Sequence, residues 1–237
     1  MSKDFEGAKK SILDRLKNEL NPKYYYHSLK HSKDVYMMAT ELGKLEKISE
    51  AEMILLKTAA LFHDSGFLES YVGHEEVSAK IAKQTLPEFN YNSEEIEIIE
   101  KMILSTTVPQ TPETLLEKIL CDADLDYLGR DDYSKISNRL FLEWKDMGNI
   151  LTQKKWNETQ INLFEMLHAD KGLLTFGKTA LAIACGRSGD LNRSRTPATA
   201  FLIFSGISVL LIFYTSKFPF YNSFYIQILT WNLILLF

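Results

Sequence analysis

The amino-acid sequence predicts an all-α fold for roughly the first 170 of its 237 residues. Apolar residues recur at steps of three and four, which is the spacing of one face of an α-helix. No segment shows the alternation of apolar and polar residues that a half-buried strand requires. Polar capping residues and prolines separate the periodic segments from one another. We therefore expect a bundle of helices joined by short polar connections.

The predicted helices follow one another closely along the chain. They are expected at about residues 9–20, 27–45, 49–62, 74–86, from 93, from 112, 132–147 and 152–168. Ser49 and Glu52 have the three-residue spacing of a capping box and mark the start of the third helix. That helix is apolar nearly all round up to Phe62, so we expect it to be the central, buried one.

The charge distribution separates this helical part from the rest of the chain. Residues 1–170 carry 21 Lys and Arg against 30 Asp and Glu, whereas residues 171–237 carry 6 against 1. A broad nucleic-acid-binding surface needs clustered basic side chains. We therefore expect no nucleic-acid partner for the domain at residues 1–170.

The C-terminal part is predicted to be a linker, residues 171–195, followed by an apolar tail, residues 196–237. Residues 196–216 and 218–237 contain no charged side chain, and each stretch approaches the ~20 residues that cross a bilayer. Arg187, Arg193 and Arg195 precede the first stretch and would keep the N-terminal domain cytoplasmic. The sequence leaves three interpretations open: a membrane hairpin, a truncated membrane domain, or an out-of-frame segment after about residue 170.

Histidine and aspartate side chains stand at the ends of several predicted apolar helices. They are His27, His31, His63, Asp64, Asp122, Asp124 and Asp126. Residues 27 and 31 are four apart on one predicted helix, so we expect both to face the same side. Such side chains cost free energy when unpaired in apolar surroundings. They therefore form either a satisfied polar network or a shared cation site, whose mixed donors suit Mn, Fe, Zn, Ni or Co better than Mg.

Three of these segments resemble the motifs of the HD superfamily of metal-dependent phosphohydrolases. The segments are residues 26–32, 60–66 and 121–125, and their order H…HD…D is that of the superfamily. The resemblance extends from residue 24 to about 168 and implies an HD-domain helical bundle. Residues 73–76 and 125–132 also resemble a bacterial subgroup described only as predicted HD phosphohydrolases.

The resemblance implies a site built around one divalent metal ion, which could be Mn, Fe, Zn, Ni, Co or Mg. By position, its ligands would be His31, His63, Asp64 and Asp124. Asp64 would also accept a proton from the attacking water, and His27 would protonate the leaving oxygen. Asp122 and Asp126 would face away or lie behind the ligands.

Three more residues are candidates for roles around this site. His74 is a candidate second-site metal ligand or substrate contact, and Lys30 and Arg130 are candidate phosphate contacts. For His27 and His74, ordinary positions at a helix surface and a loop mouth are alternatives of similar weight. Phe67 stands where many superfamily members have lysine and nucleotidase-like members have a catalytic glutamate, so the nucleotidase mechanism is not expected.

The implied function is metal-dependent hydrolysis of a phosphate ester or anhydride, with a nucleotide or related small phosphorylated molecule as substrate. The alternative is a catalytically degenerate nucleotide-binding module that signals to a membrane through residues 196–237. An intact set of four ligands favours the enzyme, because a non-catalytic module has no need of them all.

Overall fold

The computed structural model describes residues 2–149 and 152–169, and within these ranges the protein is built of helices and turns without a strand. The described α-helices are α1 (Phe5–Glu19), α2 (Leu29–Leu45), α3 (Glu50–Phe62), α4 (His74–Thr85), α5 (Ser93–Ser105), α6 (Leu115–Asp124), α7 (Tyr133–Asp146) and α8 (Gln153–Ala169). Short 3₁₀ turns lie at Ser65–Leu68, Leu86–Phe89 and Asp126–Gly129. The prediction of an all-α fold is confirmed for this part of the chain.

Three helices begin with a complete capping box, in which a polar side chain and a glutamate satisfy each other's backbone N–H groups. The pairs are Ser49 with Glu52, Asn92 with Glu95, and Thr114 with Glu117. The box at Ser49 was predicted. The predicted start of a helix at Pro112 is wrong, because Thr114 caps the backbone N–H groups and α6 begins only at Leu115.

The prediction that His27 and His31 share one helix is also wrong. The N-cap of α2 is Ser28, whose backbone is extended (φ −126°, ψ 166°), so His27 precedes the helix. The backbone N–H groups of Tyr26 and His27 both donate to the carboxylate of Glu143 in α7. Because these donors are satisfied outside α2, the chain enters the helix two residues later than its periodicity indicates.

Helix α3 forms the centre of the hydrophobic core, as predicted. Its side chains from Ala59 to Phe62 are almost completely buried. It packs against α1, α2 and α5, and α2 packs in turn against α6. This packing brings the first turn of α2, the end of α3 and the end of α6 to one place.

The predicted linker and apolar tail, residues 171–195 and 196–237, lie outside the described residues. Among the helices that are described, none combines the length and the apolar character that crossing a membrane requires.

Candidate metal centre and the cleft beside it

Four side chains from three helices meet where the core ends, and we call them the ligand cluster: His31, His63, Asp64 and Asp124. His31 lies in the first turn of α2, and Asp124 is the last residue of α6. His63 and Asp64 directly follow α3, whose burial carries them into the interior. The four residues predicted as metal ligands are therefore brought together by the packing of α2 on α3 and α6.

The donor atoms of the ligand cluster lie within a few ångströms of one another. His31 Nε2 is 3.1 Å from Asp124 Oδ1 and 3.3 Å from Asp64 Oδ2. His63 Nε2 is 3.3 Å from Asp64 Oδ2, 3.5 Å from Asp124 Oδ1 and 3.3 Å from His31 Nε2. His31, His63 and Asp124 form the tightest group, with one donor atom of each within 4.8 Å of the others. The carboxylate of Asp64, which follows the end of α3, contacts the same two imidazoles.

Burial and opposite charges together set the protonation of this cluster. Burial acts to lower the pKa of His31, but the carboxylates of Asp124 and Asp64 outweigh it and raise that pKa to about 8. Burial also favours the neutral form of Asp64, yet the charge of His63 and contacts with both imidazoles hold its pKa well below the ordinary range. In the absence of a cation, the two carboxylates are therefore balanced by protons on the imidazole pair.

Protons alone do not satisfy all the polar atoms of the ligand cluster. The Nε2 atoms of His31 and His63 are 3.3 Å apart, so only one of them can direct a proton at the other. His63 Nδ1 lies 2.9 Å from the carbonyl oxygen of Ala60, to which it donates, so Nε2 is the ring nitrogen that faces the cluster. Asp64 Oδ2 is buried and has no hydrogen bond of acceptable geometry, although both imidazoles lie close to it.

A divalent metal ion fits these residues better. Ligand atoms bonded to one ion at about 2.0–2.2 Å, in tetrahedral or octahedral geometry, are roughly 3.0–3.5 Å apart. The five distances given above fall in that range. Two imidazole nitrogens with carboxylate oxygens are a donor set for Zn, Mn, Fe, Ni or Co. The hydrogen bond from His63 to the carbonyl of Ala60 is the kind of outer contact that orients a metal-binding imidazole.

Gly66 determines how the chain leaves the ligand cluster. A Cβ atom at this position would lie 1.9 Å from the backbone oxygen of His74, so only glycine permits the 3₁₀ turn to pack against the start of α4. The backbone N–H of Gly66 donates to the buried hydroxyl of Ser78 at 2.7 Å. This contact places His74 beside the cluster, with its Nε2 3.6 Å from Asp64 Oδ1.

A second group of rings, which we call the aromatic wall, consists of His27, Phe67 and His74. The ring of Phe67 stacks on His27 at 4.1 Å and on His74 at 4.0 Å between centroids. Tyr24 and Tyr71 contact Phe67 by their edges. Phe67 is buried and offers an apolar surface to both imidazoles. Its role in the structure is therefore to orient two imidazoles.

Sequence reasoning missed Glu143, which supports the aromatic wall from α7. Its carboxylate is completely buried and accepts from the backbone N–H groups of Tyr26 at 2.8 Å and His27 at 3.1 Å. The other carboxylate oxygen contacts His27 Nδ1. A signal was present: Ile136, Leu140 and Glu143 lie on one buried face of α7, so a charge occupies a position that the helical period marks as internal.

A cleft opens against the α2 and α6 side of the ligand cluster. His31 and Asp124 line it together with the cationic side chains of Lys30, Arg130 and Arg139. Lys30 is exposed and pairs with Asp34 at 3.1 Å. Arg130 holds the carboxylate of Asp132 with two hydrogen bonds of 2.9 and 3.0 Å. Arg139, a further cation of the cleft that the sequence did not single out, has no ion pair within the described residues.

The two aspartates that flank Asp124 have different positions. Asp122 is buried and does not belong to the tight donor group. Asp126 lines the cleft, where burial raises its pKa to about 6 against the opposing charge of Arg130. Neither carboxylate takes the place of Asp124 beside the two imidazoles.

Comparisons with known proteins place the motif region in a family. Residues 24–126 match the family model of the HD domain. An uncharacterized protein of Clostridium beijerinckii is 38% identical over 91 residues, which are 37% of this chain and 57% of that protein. The aligned part thus spans little more than half of the relative's length. No solved structure matches the chain. The matched residues 24–126 contain all four members of the ligand cluster, so this part of the chain is assigned to the HD domain.

Proposed function

We propose that the protein hydrolyses a phosphate ester or anhydride of a small molecule, with one divalent metal ion held by the ligand cluster. The observation that carries this proposal is the convergence of His31, His63 and Asp124, each with a donor atom within 4.8 Å of the others, while Asp64 lies against both imidazoles. HD domains are in general metal-dependent hydrolases, and the match to that family supports the same chemistry here. A nucleotide is the first substrate class to test.

The bound ion would polarise a phosphoryl oxygen and lower the pKa of the attacking water. Two residues beside the ion would transfer protons. Asp64 has one oxygen toward the imidazoles and the other toward His74, so its outer oxygen can accept the proton of a water molecule between them. His27, at the edge of the site, can give a proton to the leaving oxygen.

The cleft supplies the binding surface for the substrate. Arg139 and Arg130 lie along it, and guanidinium groups match phosphate oxygens in charge and geometry. The carboxylates of Asp34 and Asp126 also line the cleft, and Asp132 pairs with Arg130, so the cleft is not strongly basic. This mixture favours a small phosphorylated molecule over a polyanion.

The proposal is tested on the full chain after chelation and reloading with Mn, Fe, Co, Ni, Zn or Mg separately. Phosphate release is measured for nucleoside mono-, cyclic and diphosphates and for non-nucleotide phosphate esters. Hydrolysis of at least one class is expected with a transition metal bound in stoichiometric amount. Asp64→Ala is expected to abolish it, and full activity in this variant would refute the site. A nucleotide bound without turnover by the metal-loaded protein would support the degenerate binding module instead.

A further inference from the structure

Glu143 is the most buried carboxylate of the described residues, with none of its side chain exposed. A buried carboxylate is costly unless its oxygens accept hydrogen bonds. Glu143 meets this requirement with one oxygen on the backbone N–H groups of Tyr26 and His27, and the other on His27 Nδ1. These three partners belong to one dipeptide, at the place where the chain enters the site, and the side chain of Tyr71 also interacts with the carboxylate.

These contacts determine how the imidazole of His27 is presented. A carboxylate only accepts hydrogen bonds, so Nδ1 must carry a proton. Stacking on Phe67 fixes the plane of the ring, and the ring centroid lies 6.1 Å from that of His31 and 5.8 Å from that of His74. With Nδ1 occupied by Glu143, Nε2 is the nitrogen left to exchange a proton with a bound substrate.

We propose that Glu143 is a positioning residue that makes His27 the proton donor to the leaving group. This inference rests on the proposed function. As water oxygen bonds to phosphorus, the bond from phosphorus to the leaving oxygen breaks, and its electron pair takes the proton from His27 Nε2. The water's own proton goes to Asp64, and solvent restores both residues. The negative charge of Glu143 compensates the doubly protonated ring, which neutral glutamine cannot do.

A simple structural role is the competing explanation, because Glu143 also fastens α7 to residues 26 and 27. The chain offers a matched control for that role. Asp146, one turn further along α7, accepts a 2.8 Å hydrogen bond from the hydroxyl of Tyr25. Asp146→Asn weakens the same connection between α7 and this segment without touching His27.

The decisive experiment compares substrates whose leaving groups differ in their need for a proton. Initial rates are measured for an alkyl phosphate and for 2,4-dinitrophenyl phosphate with metal-loaded wild type, Glu143→Gln, Glu143→Asp, His27→Asn and Asp146→Asn. General-acid catalysis contributes about 10²–10⁴-fold. We expect Glu143→Gln and His27→Asn each to lower kcat at least about 100-fold on the alkyl ester and less than about threefold on the dinitrophenyl ester. Glu143→Asp is expected to recover part of the loss, and Asp146→Asn to leave both rates unchanged.

A loss of equal size on both esters, or none on either, would overturn the proposal. If Glu143→Gln fails to fold, His27→Asn still tests the donor role of His27, because it leaves Glu143 its two backbone donors, and Glu143→Asp tests the positioning role by moving the carboxylate away from the ring. Long-range ¹H–¹⁵N spectra of the wild type should show the proton at Nδ1 of His27, and Glu143→Gln should weaken its hydrogen bond and shift its resonance upfield. If the wild type hydrolyses no ester, the proposed function fails together with the donor role, whereas the spectra still decide whether Glu143 fixes the ring.

Discussion

The ligand cluster and the aromatic wall lie side by side but are built in different ways. The cluster uses residues that sit in short sequence motifs and depends on the burial of α3 for its position. The wall depends on stacking between rings and on a carboxylate from α7. All four members of the ligand cluster fall within the region that matches the HD domain, whereas Glu143 lies beyond its last matched residue, 126.

This difference indicates that metal binding and proton transfer can be changed independently. Holding a cation requires a fixed set of donor atoms at fixed distances, so the cluster has little freedom. Delivering a proton requires only one imidazole of defined orientation, and several kinds of support can provide it. Here the support comes from Phe67 and Glu143. We therefore expect changes in the cluster to abolish metal binding, and changes in the wall to alter turnover while metal remains bound.

The largest effect is expected from Asp124→Asn, which removes a charged donor from the cluster. Even residues that only orient a metal ligand contribute about 10–100-fold to affinity, so loss of the ligand itself should weaken binding by more than about 100-fold. Competition with a metal-sensitive dye measures this constant. Asp122→Asn, two residues earlier on α6, is the matched control and should retain a stoichiometric metal. Equal losses in both variants would contradict the distinction between the two aspartates.

An intermediate effect is expected from Gly66→Ala, which tests the connection between the two regions. The added methyl group would overlap the backbone oxygen of His74, and overpacking typically costs about 1–3 kcal/mol. We expect a loss of at least about 2 kcal/mol in the free energy of unfolding, measured by urea denaturation. Hydrolysis should fall further than metal affinity does, since Phe67 and His74 must shift.

Gly148→Ala provides the comparison for backbone strain. Gly148 has a positive φ of 78°, but a methyl group there would meet no atom within 4 Å. The cost of Gly148→Ala should therefore be limited to the left-handed backbone, about 1–2 kcal/mol. If both glycine variants were equally stable, the contact between the 3₁₀ turn and α4 would not be important for the fold.

The sequence was sufficient for the parts of the molecule that follow a local rule. Helical periodicity and capping predicted the all-α fold, and the apolar run that ends at Phe62 predicted the central position of α3. The motif residues His31, His63, Asp64 and Asp124 were selected by their resemblance to a family, and the structure brings them together. Their separation along the chain, from residue 31 to 124, is too large for spacing alone to predict such a contact.

What the sequence did not predict depends on contacts between distant residues. His27 appeared to continue the period of α2, but a carboxylate 116 residues away holds its backbone outside the helix. From the sequence alone, Glu143 would be expected at the surface, as most glutamates are. Only its position on the apolar face of α7 indicates that it is buried. In the sequence, Phe67 was only a departure from the family pattern. In the structure, both imidazoles of the aromatic wall stack on its ring.

The smallest effect concerns the stability of the metal-free protein as the pH is raised from 6 to 9. The pKa of His31 is raised to about 8 in the fold, above the unfolded value of about 6.5. Its stabilising effect is therefore complete below pH 6.5 and is lost as the pH rises through 8. The lowered pKa values of Asp64 and Asp124 act only in acid and do not contribute in this window. We expect the Tm of chelated protein to fall by about 5 °C.

Three variants show which residues cause this pH dependence of the Tm. His31→Gln should remove the contribution of His31 and leave that of His63, whose pKa is also raised, whereas Glu143→Gln in the aromatic wall should leave the dependence unchanged. Asp126→Asn removes a smaller contribution of the same sign, because the raised pKa of Asp126, about 6, also favours the protein at lower pH. Saturating metal should reverse the trend, since the ion binds only deprotonated imidazoles and its affinity grows with pH. A Tm that falls equally with and without metal would mean that the imidazole pair does not face the ion.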